Sequence, residues 1–121
     1  MAKQNEFIDW LSEQLAPMGR VSGRSMFGVW GIFCDGLMFG LVADDVLFLK
    51  VDGETRSHFE AAGSAPFTYR AKDGQEMILN YWRIPDDALE ERVDLLRWSR
   101  DALGVALRAQ AAKAPKRRKA K

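Results

Sequence analysis

The chain has one cysteine, one histidine and no long apolar run, and each scarcity removes a class of function. A lone Cys34 excludes an internal disulfide framework and any multi-cysteine zinc or iron–sulfur site, and it suits a reducing compartment. A lone His58 removes most nucleophile–base pairs, because such catalysis needs an imidazole placed to take a proton. No stretch approaches the ~20 consecutive apolar residues of a membrane-spanning helix. Glu6, Asp9 and Glu13 break up the first 14 residues, so no secretory signal is expected there and the reading is of a soluble, cytoplasmic protein. Nucleotide fingerprints are missing too. Gly28-Val-Trp-Gly31 and Gly36-Leu-Met-Phe-Gly40 match neither Gly-x-Gly-x-x-Gly opening a helix nor a Walker loop, and fit better as bulges or close approaches within strands.

What is present is enough for one domain. The 121 residues are 47% hydrophobic and 11% aromatic. A chain of this size buries roughly 65% of its unfolded surface and folds without a staple. The net charge of +1 conceals an asymmetry. Lys113, Lys116, Arg117, Arg118, Lys119 and Lys121 hold six of the 18 basic residues and stand among no acids. That leaves 12 bases against 17 acids in residues 1–112, a net of −5. The expectation is a folded acidic body over 1–112 and a disordered basic tail over 113–121, since the tail has nothing apolar to dock and its charges repel.

The patterning predicts an α+β domain. After Asn5, Phe7, Ile8, Leu11 and Leu15 recur at helical spacing until Pro17 and Gly19. Aromatic and β-branched residues then predict strands near Phe27 to Cys34, Leu37 to Ala43 and Val46 to Val51, turning at Asp35-Gly36 and Asp44-Asp45. Such short connections require antiparallel pairing. Asp52 with Thr55 opens a short helix ending at Gly63. Phe67 to Ala71 and Met77 to Ile84 form a hairpin around Lys72-Asp73-Gly74-Gln75. After Pro85, the acids Asp86, Asp87, Glu90 and Glu91 begin a long helix with Leu89, Val93, Leu96, Leu103 and Leu107 on one face. The expected order is α-β-β-β-α-β-β-α, an antiparallel five-stranded sheet with helices on at least one face.

Few residues offer chemistry. His58 beside Phe59 reads as a surface or packing residue, and Cys34 as a buried structural thiol with no basic neighbour in sequence. The acids near Asp86 read as first-turn helix charges; no metal site, cofactor or catalytic set is expected. Trp30, Phe33, Phe39, Phe48, Tyr69, Tyr81 and Trp82 read as sheet and core packing. Stacking on nucleic-acid bases would need several of them on an open face beside positive charge, and the strands carry few bases beyond Lys50, Arg70 and Arg83.

The order of short motifs carries a resemblance. Arg24-Ser-Met-Phe-Gly28-Val-Trp-Gly-Ile-Phe-Cys-Asp-Gly36, Met38-Phe-Gly-Leu-Val42 and Leu47-Phe-Leu-Lys-Val-Asp52 lead the series. Glu54-Thr-Arg56 with Phe59-Glu-Ala-Ala-Gly63, Pro66-Phe-Thr-Tyr69, Tyr81-Trp-Arg-Ile-Pro85 and Leu96-Arg-Trp98 complete it. From about Phe7 to Leu107 the chain resembles the N-terminal domain of the TfoX/Sxy competence-regulator family. The resemblance implies a two-layer α+β fold and a bacterial regulatory role, with no catalytic residues to carry over. Val29 departs from the pattern, standing where that family commonly has a second glycine after Met-Phe-Gly. Family regulators add a C-terminal helical domain; here only the basic tail is expected after the last helix, so the resemblance leaves open whether the competence role transfers.

Three functions compete at this point. The first is a non-enzymatic regulatory adaptor with an unidentified protein partner, for which a homodimer is compatible because an open sheet face or edge can bury itself against a second copy. The second is a nucleic-acid accessory protein held without sequence preference by Lys113, Lys116, Arg117, Arg118, Lys119 and Lys121. The third is a small enzyme or ligand binder with a pocket that sequence does not reveal. None of the three calls for a membrane.

Overall fold

A computed structural model describes residues 6–26, 28–70 and 72–119. Helix α1 (Glu6–Gln14) buries Ile8 and Leu11 and gives way at Pro17 to a single 3₁₀ turn, Ala16–Met18. Strands β1 (Val21–Met26), β2 (Val29–Cys34), β3 (Leu37–Ala43) and β4 (Val46–Lys50) form a meander. Helix α2 (Arg56–Ala61) follows, then β5 (Pro66–Arg70), β6 (Glu76–Arg83), α3 (Asp86–Glu90) and α4 (Arg92–Lys119). The strands make one sheet in the order β1-β2-β3-β4-β6-β5, antiparallel at every pairing.

The α+β class and the antiparallel meander agree with the sequence reading; the strand count does not. The sheet has six strands rather than five, because Val21–Met26 pairs with β2 along its whole length. Two serines and a glycine in Val-Ser-Gly-Arg-Ser-Met mask its strand character, and an edge strand needs less intrinsic propensity when its partner supplies the ladder. The last helix is two helices. Glu91 is extended (φ −116°, ψ 115°) and ends α3, while its carbonyl accepts from Leu95 N–H at 2.8 Å to begin α4.

The expected apolar face of that helix is also corrected. Val93 and Leu107 are exposed, 68% and 51%, whereas Leu95, Ser99, Ala102, Val105 and Ala106 are buried. Small side chains let α4 lie close against β3 and β4, its main contacts in the sheet. Hydropathy follows the large residues, so it points to the margin of the interface instead of its centre. The backbone of α4 continues as helix to Lys119, through the segment from Lys113 expected to be disordered. Alanines at 111, 112 and 114 favour that continuation.

Two local devices follow from the sequence as read. Asp52 and Thr55 exchange hydrogen bonds: Thr55 N–H donates to Asp52 Oδ1 at 3.1 Å, and Asp52 N–H donates to Thr55 Oγ1 at 3.1 Å. These bonds close the turn that leads into α2, whose own N-cap is Thr55. At its other end Gly63 takes φ 77° and Ser64 N–H reaches back to the Phe59 carbonyl at 3.0 Å, a left-handed stop.

Candidate functional site

The sheet has two faces, and the helices pack on one of them. Ile32 and Cys34 of β2, Leu47 and Leu49 of β4, and the residues Val51 and Ile84 just beyond strand ends join the buried cluster with Ile8, Leu11, Leu15, Phe59, Leu95, Ala102 and Ala106. Phe59 meets Trp98 edge-on at 4.8 Å, knitting α2 to α4. Alternation along the strands sends the intervening side chains to the opposite face. There Val29, Met38, Leu41, Phe67, Tyr69, Leu79 and Tyr81 line a shallow groove of about 540 Å³.

A bulge in β3 builds this groove. Ile32 pairs with Gly40 and Phe33 with Met38, which leaves Phe39 without an opposite residue. The extra residue shifts the alternation by one. Met38 and Leu41, three apart, therefore both reach the groove, while Phe39 and Val42 both enter the helix-side core. Gly40 fits the close approach at this point: a Cβ there would lie 3.0 Å from the Phe48 carbonyl oxygen. Leu41 is only 3% exposed, so it forms the floor, and Tyr69 at 45% stands at the rim.

Val29, the departure from the family pattern, creates no strain. The positive φ of the β1–β2 turn falls on Gly28 (85°), and Val29 is the first residue of β2, paired with Met26.

Cations mark this face. The Arg24 guanidinium lies 5.1 Å from the Phe33 ring centre, and Lys50 Nζ lies 5.2 Å from that of Tyr81. Rings bind such cations through their negative faces and hold them in place. Burial raises the Tyr81 phenol above its ordinary pKa, so it is neutral at physiological pH. Phe48 and Phe67 meet edge to face at 5.0 Å, bridging β4 and β5. Aromatics beside positive charge are thus brought together more fully than the strand sequences suggested, with Arg24 supplied by the unexpected first strand.

The other candidate residues fall away from this groove. Cys34 is 2% exposed on the helix side; burial, then the Asp35 charge, push its thiol pKa up, so it stays protonated and a poor nucleophile. His58 is exposed on α2. Among the described residues no group of three or more His, Cys, Asp or Glu could hold a metal ion, and no helix is long and apolar enough to cross a membrane. The side chains of residues 113–121, which include all six expected nucleic-acid contacts, lie outside the described residues.

A polar joint sits on the helix side. Arg108 of α4 donates from Nε and Nη2 to Asp52 Oδ2 at 3.1 and 2.8 Å, while Asp52 Oδ1 accepts the Glu54 and Thr55 amides. Burial pushes the Asp52 carboxyl up, but the Arg108 hydrogen bond and those amides outweigh it and leave its pKa lowered. The pair fastens α4 to the β4–α2 loop.

The groove was missed in sequence, yet a signal was there. β3 reads Leu-Met-Phe-Gly-Leu-Val-Ala, apolar at every position. In an antiparallel sheet, a strand apolar on both faces needs cover on both.

Comparison with known proteins gives the fold its place. A model of the TfoX N-terminal domain matches residues 13–106. Protein Sxy of Escherichia coli (strain K12) is 29% identical over 96 residues, which cover 79% of this chain and 46% of that protein. DNA transformation protein TfoX1 of Aliivibrio fischeri (strain ATCC 700601 / ES114) is 31% identical over 86 residues, covering 71% of this chain and 41% of that protein. The chain spans less than half the length of these two curated relatives. Residues 13–106 contain all six strands and both faces just described, and the chain belongs to the TfoX N-terminal domain family.

Proposed function

We propose that this chain is a non-enzymatic regulatory adaptor, working in the bacterial cytoplasm by binding a protein partner through the open sheet face. The observation that carries this reading is the groove itself: seven apolar or aromatic side chains from four strands converge on it without a helical layer among the described residues. Contiguous apolar surface of this kind marks interaction sites on soluble domains. The name of the Aliivibrio fischeri relative, a DNA transformation protein, directs the regulatory part of the proposal toward genes of DNA uptake.

Site-specific photo-cross-linking tests it. A cross-linker at Met38 or Tyr69, compared with one at Ser57 on the exposed side of α2, is expected to trap one partner from the groove positions only. Met38→Glu is expected to abolish the adduct and to reverse any transcript change caused by the wild-type chain. Equal labelling from all three positions, or transcripts indifferent to Met38→Glu, would overturn the reading.

A second reading rests on the C-terminal end of α4, where six of the last nine residues are basic. A nucleic-acid accessory role predicts that the full chain binds labelled duplex DNA, that a chain ending at Ala112 does not, and that affinity falls steeply with salt.

A further inference from the structure

We infer that the occupant of the open sheet face is an acidic amphipathic helix of a partner protein, with apolar side chains filling the groove and carboxylates meeting Arg24 and Lys50. This rests on the proposal that the face docks protein, and it adds the chemistry of the partner. The registers set Arg24 opposite Gly31, Gly31 opposite Leu41, Leu41 opposite Phe48, and Phe48 opposite Arg83. One row across the sheet therefore runs from arginine to arginine through apolar residues. Lys50 stands one row away, beside Tyr81. The ionisable side chains that alternation brings to this face are all cations or neutral phenols, although the body as a whole carries a net of −5.

These cations have positive charge to spare. Of the three, Arg83 is paired with Asp86 at 3.2 Å. Among the described residues no carboxylate pairs with Arg24 or Lys50; each rests on an aromatic ring, which leaves its outward side available. The row spans four strand spacings, about 19 Å. Arg24 and Lys50, the two cations without a carboxylate partner among the described residues, stand three of those spacings apart, about 14 Å. A helix of about 13 residues covers that distance, so acids toward its two ends fall over them while an i, i+3, i+4, i+7 stripe meets the groove.

Charge decides among the possible occupants. A second copy docked face to face would bring Arg24 and Lys50 of both chains together over apolar surface, where like charges cost most. The chain's own C-terminal segment is basic and is repelled for the same reason. Nucleic acid satisfies the cations but not the groove floor of Val29, Met38, Leu41 and Leu79, which offers aliphatic surface instead of flat rings; Phe48 and Phe67 already use each other's edges.

The test uses the full chain and fluorescence anisotropy with four probes: a designed 13-residue amphipathic helix with a Leu/Phe stripe and glutamate flanks, the same helix with lysine flanks, a scrambled glutamate peptide, and a 20-nucleotide oligothymidylate. The glutamate-flanked helix is expected to bind saturably and at least tenfold more tightly than the other three. Arg24→Glu with Lys50→Glu is expected to reverse the order of the two helices, and Met38→Glu to weaken both. Near-ultraviolet circular dichroism establishes that each variant is folded, and the milder Lys50→Gln, expected to narrow the preference without abolishing binding, serves if the double variant is not. Equal binding of both helices, lost in Met38→Glu, would overturn the acidic partner while leaving protein docking intact. Preference for the oligonucleotide, or a concentration-dependent dimer that Met38→Glu dissolves, would overturn it in favour of nucleic acid or a second copy. No binding by either helix would overturn the inference, while the cross-linking result decides the broader reading separately.

Discussion

The two faces of one sheet are built from the same kinds of residue and put to different uses. On the helix side, Phe39, Leu47, Leu49 and Leu95 are completely buried, and small residues on α4 bring the layers together. On the open side, side chains of equal apolarity line a groove that only its floor, Leu41, fully escapes solvent within. Burial on the first face stabilises the fold. Apolar area left on the second is what the proposed partner would bury.

The most forceful way to break this contrast is to truncate one side chain on each face. Leu95→Ala leaves a cavity between α4 and the sheet and is expected to cost about 2–5 kcal/mol in urea unfolding. Tyr69→Ala at the open rim is expected to cost less than ~1 kcal/mol while weakening partner binding. Comparable losses at the two sites would mean that the open face is part of the core after all.

Gly23→Ala probes how closely the covering layer sits. A Cβ at Gly23 would come 2.7 Å from Ile8 Cγ2, and Ile8 is buried, so α1 must move away from β1. The expected cost is about 1–3 kcal/mol, with amide exchange in α1 faster than in α4. A cost near zero would show α1 to be loosely held.

The Asp52–Arg108 joint sharpens the contrast by pH. Folding lowers the Asp52 pKa, so the ionised carboxylate favours the folded state. That contribution is complete above the unfolded value of about 3.9 and vanishes as pH falls through the lower folded value. Asp52→Ala also removes the acceptor for two amides in the turn leading into α2 and is expected to cost about 1 kcal/mol at neutral pH. The gap between wild type and variant should narrow in acid and leave the groove's affinity for its partner unchanged. A gap constant from neutral pH to pH 2 would refute the ionic part.

How far the sequence displays these features depends on what carries them. Hairpins announced by Asp-Gly or Asp-Asp, the Asp52 turn and the Gly63 stop are local, and local chemistry is legible; Asp44 and Asp45 do take positive φ, at 52° and 60°. β1 was hidden because its ladder with β2, not its own residues, makes it a strand. The buried stripe of α4 was hidden because Ser99, Ala102 and Ala106 earn their place by size. The groove needed the bulge at Phe39, which shifts Met38 and Leu41 onto one face, and the strand order that sets β6 between β4 and β5. Neither is written in spacing along the chain.

The smallest expected effect has the opposite sign. Ser99 is 0% exposed within the α4–sheet interface, and its hydroxyl has no hydrogen-bond partner among the described residues. Small size is what the position requires, because a larger side chain would drive α4 off the sheet; the oxygen serves no visible bond and has lost its water. Alanine keeps the close approach, removes the desolvated hydroxyl and has the higher helix propensity. Ser99→Ala is therefore expected to stabilise the domain by up to about 1 kcal/mol, read as a raised urea midpoint with an unchanged slope. A loss of stability would mean that the hydroxyl does find a partner in solution, the Leu95 carbonyl one turn back being the natural acceptor. In either case the groove should keep its affinity, because Ser99 lies on the other side of the sheet from Met38 and Tyr81.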